Sequence, residues 1–195
     1  MDGEDADVFL GISPIHHIVF TDGSCFPNDK SKYSRAGYAA VFVSGIYNDM
    51  NIYGNLDVSI EYTSNIRAEG MAILRTMEKI NESKESIIKL TIITDCEFWV
   101  KMLQSYIPKW KKNEYKKKAN PDMTIKMWVV YNELKEKGEV KFIHMKSHDK
   151  DGWSKYKSGT YERYCYEQNK YADELCGFAR TNLNVKDEIF DSIKY

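Results

Sequence analysis

The chain has 195 residues, enough for one domain with a full hydrophobic core and too few for two comfortable ones. Its hydrophobic content of 43% and charged content of 29% are those of a soluble globular protein, and no apolar run approaches the roughly 18 residues of a membrane span. A net charge of −1 singles out no class of partner, so the distribution of charge carries whatever information there is.

Residues 1–13, "MDGEDADVFLGIS", form a short acidic tail with neither the basic head nor the apolar centre of a secretory signal. "PIHHIVFTD" reads as a strand and "SCFPNDKSKYSR" as a turn rich in Pro, Asn, Asp and Ser. "AGYAAVFVSG" and "MNIYGNLDVS" are two further strands that make an antiparallel meander with the first. In "NIRAEGMAILRTMEKI" the residues Ile66, Ile73, Met77 and Ile80 recur at helical spacing. "IKLTIITD" is a buried strand and "CEFWVKMLQSY" the helix after it.

Residues 101–120 hold seven lysines against one acid, Glu114, so the chain gathers its positive charge into one segment. "DMTIKMWVVYNELKEKG" is an amphipathic helix closed by Gly138, and "EVKFIHMKS" a fifth strand. A polar, tyrosine-rich loop runs from Asp149 to Glu167, and "NKYADELCGFARTNL" is the last helix. No repeat or low-complexity linker interrupts the chain. The reading is one α/β domain over residues 14–181 with a C-terminal extension at 182–195. The order βββαβα…αβα gives a five-stranded mixed sheet, three antiparallel strands then two parallel, flanked by helices. The cysteines Cys25, Cys96, Cys165 and Cys176 form no C-x-x-C pair and read as free thiols in an intracellular, reducing compartment.

Chemistry enters through the carboxylates. The runs Ile18–Phe20 and Leu90–Ile93 need burial on both faces, yet each is followed, one threonine on, by an acid, Asp22 or Asp95. Ligand sites in such sheets gather at the carboxyl ends of strands. Glu69 lies three residues after Ile66 and four before Ile73, on the apolar stripe of its helix. Asp173 falls in the first turn of the last helix as read here. Each acid alone has an ordinary explanation as a turn residue, a cap or a partner of a helix dipole. If all four converge, two unit charges ~4 Å apart at an effective dielectric of ~20 repel by about 4 kcal/mol, and bound cations are needed. An all-oxygen set suits Mg²⁺ or Mn²⁺ better than zinc, and two such ions ~3.5–4 Å apart would serve phosphodiester hydrolysis.

Around these acids the sequence resembles the type 1 ribonuclease H family. "FTDGS", "TSNIRAEGMAIL", "ITDCEFW" and "NKYADELC" are similar to its four carboxylate motifs in order, "WKKNEYKK" to its basic protrusion, and "HMKSH" to the segment with its mobile histidine. The resemblance covers residues 15–180. It implies a ribonuclease H-like fold and an endonuclease that cuts the RNA strand of an RNA–DNA hybrid with two Mg²⁺ ions, Mn²⁺ substituting. It implies metal binding by Asp22, Glu69, Asp95 and Asp173 and a catalytic role for His148. Ser24, Cys25 and Asn65 match positions that contact RNA, and RNA is told from DNA by such contacts to 2′-hydroxyls. Phe98, Tyr106 and Trp110 match aromatics that pack on the DNA strand, Lys111, Lys112 and Lys116 the basic segment, and Thr124 a polar residue near a DNA phosphate.

The chain departs from the pattern in two places. Between His148 and Asp173 lie more residues than in compact bacterial members, and Glu97 adds a negative charge near the RNA path. His16, His17 and His144 read as structural; His144-x₃-His148 imitates zinc spacing but has no cysteine pair with it. A DNA-acting nuclease or strand-transfer enzyme on the same fold, and an inactive nucleic-acid-binding module, are the competing readings. Asn65 and the W-K-K segment favour the hybrid, with a monomeric protein as the expectation.

Overall fold

The computed structural model describes residues 15–27, 35–56, 63–83, 85, 88–110, 120–146, 152–182 and 188–191. The expected acidic tail at 1–13 lies outside them. The sheet is built from β1 (His16–Phe26), β2 (Arg35–Phe42), β3 (Met50–Asn55), β4 (Ile88–Thr94), β5 (Gly138–His144) and β6 (Glu188–Asp191), in the spatial order β5-β4-β1-β2-β3-β6. The expected mixed five-stranded sheet is therefore present. The short β6, from the C-terminal extension, adds an antiparallel sixth strand on β3.

β1 is the centre. It pairs antiparallel with β2 and parallel with β4, which in turn pairs parallel with β5. Its parallel partnership ends at Thr21↔Thr94, while its pairing with β2 continues to Phe26↔Arg35. The strand thus runs four residues past Asp22, where the sequence suggested it would stop. Asp22 and Asp95 stand one step beyond the last parallel pair, at the place where β4 leaves the sheet.

Helices cover both faces. On one side α1 (Asn65–Asn81) and α3 (Pro121–Lys137) enclose the larger core, in which Val19, Ile73, Met77, Ile92, Trp99 and Met127 are fully buried. Burial of each such side chain contributes about 1.5–3 kcal/mol. Ser64 caps α1 by accepting from the Arg67 backbone N–H at 3.3 Å. Ile66 is 37% exposed, so the apolar stripe of α1 begins at Ala68 and not at Ile66. In the first turn the Ile66 carbonyl accepts the Trp99 indole N–H at 2.6 Å. After β4 come α2 (Glu97–Lys101), a wide π turn (Met102–Tyr106) and a 3₁₀ turn (Ile107–Lys109).

The other face is closed by α5 (Tyr161–Thr181), preceded by the short α4 (Gly152–Lys155). Here Ile18, Phe20, Val41 and Ile93 meet Cys165 and Ala172, with Tyr161, Tyr164 and Tyr171 at the border. α5 starts eight residues earlier than "NKYADELC" suggested. Thr160 caps it, accepting from the Arg163 N–H, and Tyr161, Tyr164 and Cys165 recur at helical spacing on the sheet-facing side. Part of the tyrosine-rich segment is therefore helix, and those tyrosines serve packing. All four cysteines are buried free thiols. His16 and His17 are structural, bonded through Nε2 to Thr91 Oγ1 at 2.8 Å and to Glu85 at 2.6 Å.

Candidate active site

The alternation of β1 decides which element each residue meets. Ile18, Phe20 and Asp22 share the face covered by α5, whereas Val19, Thr21 and Gly23 share the α1 face. Gly23 lies directly against the backbone of Ala68 and Glu69, which draws the first turns of α1 onto the sheet beside Asp22. Asp22, Glu69 and Asp95 can each place a carboxylate oxygen within 4.8 Å of the others. A second group within the same limit joins Asp22, Asp173 and Cys176. Asp22 belongs to both. Oxygens sharing one octahedral Mg²⁺ at ~2.1 Å lie up to ~4.2 Å apart, so small side-chain adjustments suit the carboxylates of either group to a cation, for which the Cys176 thiol is too soft a donor.

Electrostatics describe the same crowding. Burial, then the charges of Asp95 and Asp173, lifts the Asp22 carboxyl from its ordinary 3.8 to about 7. Burial, then Asp22 and Asp95, lifts Glu69 well above the usual carboxylate range. Glu69 Oε2 is buried with no hydrogen-bond partner among the described residues. A buried carboxylate oxygen without a hydrogen-bond donor suits coordination to a cation. The donor set therefore fits a hard divalent ion.

Asp173 occupies the middle of α5, not its first turn as read from sequence, because the helix begins at Tyr161. The helix-dipole explanation for this acid falls away with that correction. One turn on, the buried Cys176 thiol donates to the Asp173 carbonyl at 3.1 Å, and burial pushes it far up. Cys96, beside Asp95, is lifted by burial to about 11. Neither thiol was singled out from sequence for this neighbourhood, since a lone cysteine has no spacing signature.

Around the acids, Asn65 Oδ1 accepts the Cys25 backbone N–H at 2.6 Å and so ties the start of α1 to the end of β1. The Cys25 side chain points inward, its thiol 3.6 Å from the Pro27 carbonyl and from Thr63 Oγ1. Ser24 is half-buried at the rim. Phe98 and Trp110 are half-buried against the core, and Tyr106 is 45% exposed. Thr124 corrects the sequence reading. A DNA-phosphate contact needs an exposed side chain, but Thr124 is 1% exposed on the buried stripe of α3 with Met127 and Tyr131. Glu97 is offset by Lys101 at 2.9 Å. His144, read as structural, stands at the end of β5 with Nε2 3.1 Å from the Asp95 carbonyl. His148, Lys111, Lys112 and Lys116 lie outside the described residues.

No helix among the described residues is long and apolar enough to cross a membrane. Curated relatives named Ribonuclease H match the chain. The one from Francisella tularensis subsp. novicida is 28% identical over 168 residues, covering 85% of this chain and 91% of its own. The one from Neorickettsia sennetsu is 24% identical over 139 residues, covering 71% and 85%. Among solved structures, LC11-RNase H1 in complex with an RNA/DNA hybrid aligns with a TM-score of 0.56 at 20% identity, over 85% of this chain and 96% of that one. The prototype foamy virus protease-reverse transcriptase aligns with a TM-score of 0.64 at 19% identity, over 88% of this chain and 22% of that one. At those identities the structural likeness speaks for the fold. The RNase H family model matches residues 15–180, nearly the whole chain, and the chain belongs to the RNase H family.

Proposed function

We propose that this protein is an endonuclease that hydrolyses the RNA strand of RNA–DNA hybrids, with two divalent cations, Mg²⁺ or Mn²⁺, held at the carboxylates. The observation that carries this reading is the membership of Asp22 in two ligand groups at once. Glu69, Asp22 and Asp95 would hold one ion, and Asp22 with Asp173 the other. Bound there, such ions lower the pKa of an attacking water and neutralise charge on the leaving oxygen. Family membership and the hybrid bound by LC11-RNase H1 support the substrate class.

The remaining residues position the duplex. Ser24, the Cys25 main chain and Asn65 face the RNA strand, where 2′-hydroxyl contacts separate RNA from DNA. Phe98, Tyr106 and Trp110, continued by Lys111, Lys112 and Lys116, take the DNA strand through stacking on sugars and attraction to phosphates. His148 moves a proton, which a carboxylate bound to cations cannot do. Four buried free thiols agree with a reducing compartment.

The test is cleavage of a labelled hybrid, double-stranded RNA and double-stranded DNA with Mg²⁺, Mn²⁺, Ca²⁺ or EDTA. Cleavage of the RNA strand of the hybrid alone, with Mg²⁺ or Mn²⁺, is the expected result. Cleavage of DNA would assign the chain to a DNA-acting enzyme of this fold. No cleavage under any condition would make it a binding module.

A further inference from the structure

The rim of the site carries a cation that no motif announced. Arg180 is seven residues after Asp173 on α5, so the two lie on nearly the same face of the helix, about 10 Å apart along its axis. Gly37 of β2 pairs with Ser24 of β1, and a Cβ on Gly37 would lie 2.3 Å from the Cys176 carbonyl and 2.4 Å from the Arg180 backbone N. The absence of a side chain there lets α5 rest directly on the sheet and sets Arg180 beside Ser24. Its Nη1 donates to Ser24 Oγ at 2.7 Å. Its guanidinium carbon stands 5.9 Å from the centroid of the Phe26 ring.

Two features of this group are unusual for a structural arginine. Among the described residues Arg180 pairs with no carboxylate, and only one of its five N–H donors is spent, on Ser24. Phe26 is 69% exposed, a large ring left in water with the guanidinium over it. Stacking restrains the planar fork without satisfying it, and an arginine so prepared matches the bidentate geometry of a phosphate. The need for a cation is local. A strand whose scissile phosphate sits at Asp22 and Asp173 enters a field of four carboxylates, and a positive group on its path offsets that repulsion.

We propose that Arg180, stacked on Phe26 and tied to Ser24, binds a backbone phosphate of the RNA strand next to the acidic site. This rests on the hybrid-cleaving reading above. The strand follows from Ser24, which lies on the RNA side in that reading. The distance to Asp173 places the phosphate within about three nucleotides of the scissile bond, at ~3.4 Å of axial rise per nucleotide.

The experiment measures hybrid binding in Ca²⁺ over a salt series for wild type, Arg180→Ala, Arg180→Lys and Phe26→Ala, with a melting curve for each. Arg180→Ala should weaken binding roughly 5–20-fold at low salt and reduce the slope of log K against log salt by roughly 0.7–0.9, the loss of one phosphate contact. Arg180→Lys should keep the slope and recover only part of the affinity, because an ammonium lacks the fork. Phe26→Ala should fall between wild type and Arg180→Ala. Hybrids with single methylphosphonate linkages identify the strand: at one RNA linkage, neutralisation should weaken wild type and leave Arg180→Ala unaffected. An Arg180→Ala protein with wild-type affinity and slope overturns the proposal, as does a matching linkage found only in the DNA strand. If Arg180→Ala fails to fold, the slope and affinity of Arg180→Lys decide. Failure of the wild type to cleave the hybrid in Mg²⁺ would instead overturn the hybrid-cleaving reading itself.

Discussion

A Cβ added to Gly23 would lie 2.1 Å from the backbone nitrogen of Glu69. This contact explains why a glycine follows the aspartate: the strand carrying Asp22 and the helix carrying Glu69 can meet only if the residue between their backbones has no side chain. The Ala68 carbonyl carbon would lie 2.2 Å away, and since it and the Glu69 nitrogen are both backbone, neither can turn aside. Gly23→Ala should therefore cost about 1–3 kcal/mol through overpacking. For a domain of this size that is a fall in melting temperature of roughly 2–12 °C. Because the displaced element bears a site carboxylate, hybrid cleavage measured well below the melting point should fall by more than tenfold. Wild-type cleavage in a destabilised Gly23→Ala protein would separate packing from the site.

The crowded carboxylates make stability depend on pH in the absence of cations. Folding lifts Asp22 to about 7, and Glu69 also rises, burial being the main cause for both. Between pH ~4 and ~7 the folded protein thus holds protons that the unfolded chain has released. Their stabilisation is complete below the unfolded value and disappears as pH rises through the folded one. In EDTA the melting temperature should fall from pH 5 to pH 8, and Mg²⁺ should restore it at pH 8 by binding the native state. Glu69→Gln should flatten the EDTA profile. A wild-type profile that rises over this range would contradict the proton-holding cluster.

Much of this site was legible in the chain, and the misreadings have definite causes. Asp22 and Asp95 could be placed because two buried apolar runs, each followed by an acid, had to be neighbouring parallel strands, and Thr21↔Thr94 is the last pair. Glu69 could be placed because a helix stripe admits an acid only for a reason. Asp173 was set in a first turn because tyrosines at 161 and 164 read as polar loop, although they alternate their ring and hydroxyl between core and water as helix-border residues do. β6 was missed because four residues in a C-terminal stretch give no periodicity to count. Thr124 came from resemblance alone, and the burial of α3 overrules it. Arg180 has no local pattern; only the Ser24↔Gly37 register brings it to the rim.

The lysines beyond Trp110 act through charge. Replacing Lys111, Lys112 and Lys116 with alanine removes up to three phosphate contacts. Each should reduce the salt slope of hybrid binding by roughly 0.7–0.9. Affinity should fall more than turnover at saturating substrate, since phosphate contacts contribute to binding while the carboxylates carry the chemistry. The measurement is a binding isotherm at several salt concentrations beside steady-state kinetics. An unchanged slope would make the segment a solvated face.

The long segment between His148 and Asp173 raised the question whether this histidine can reach the acids. His144 ends β5 with Nε2 3.1 Å from the Asp95 carbonyl, and His148 follows four residues later. Four residues span at most about 14 Å, so the chain between His144 and His148 is long enough to allow this imidazole a place beside the acids. An imidazole titrates near neutrality and can give or take a proton beside cations that hold every carboxylate ionised. His148→Ala should lower turnover roughly 10–10³-fold, within the lower part of the range for general acid–base groups. Hybrid affinity and the concentration of Mg²⁺ needed should stay near wild type, because neither uses this side chain. Single-turnover and steady-state rates measured separately show which step suffers: a loss in both places the proton in the chemical step, and a loss in steady state alone places it in product release. Wild-type values in both would leave His148 a loop residue and return the proton to solvent.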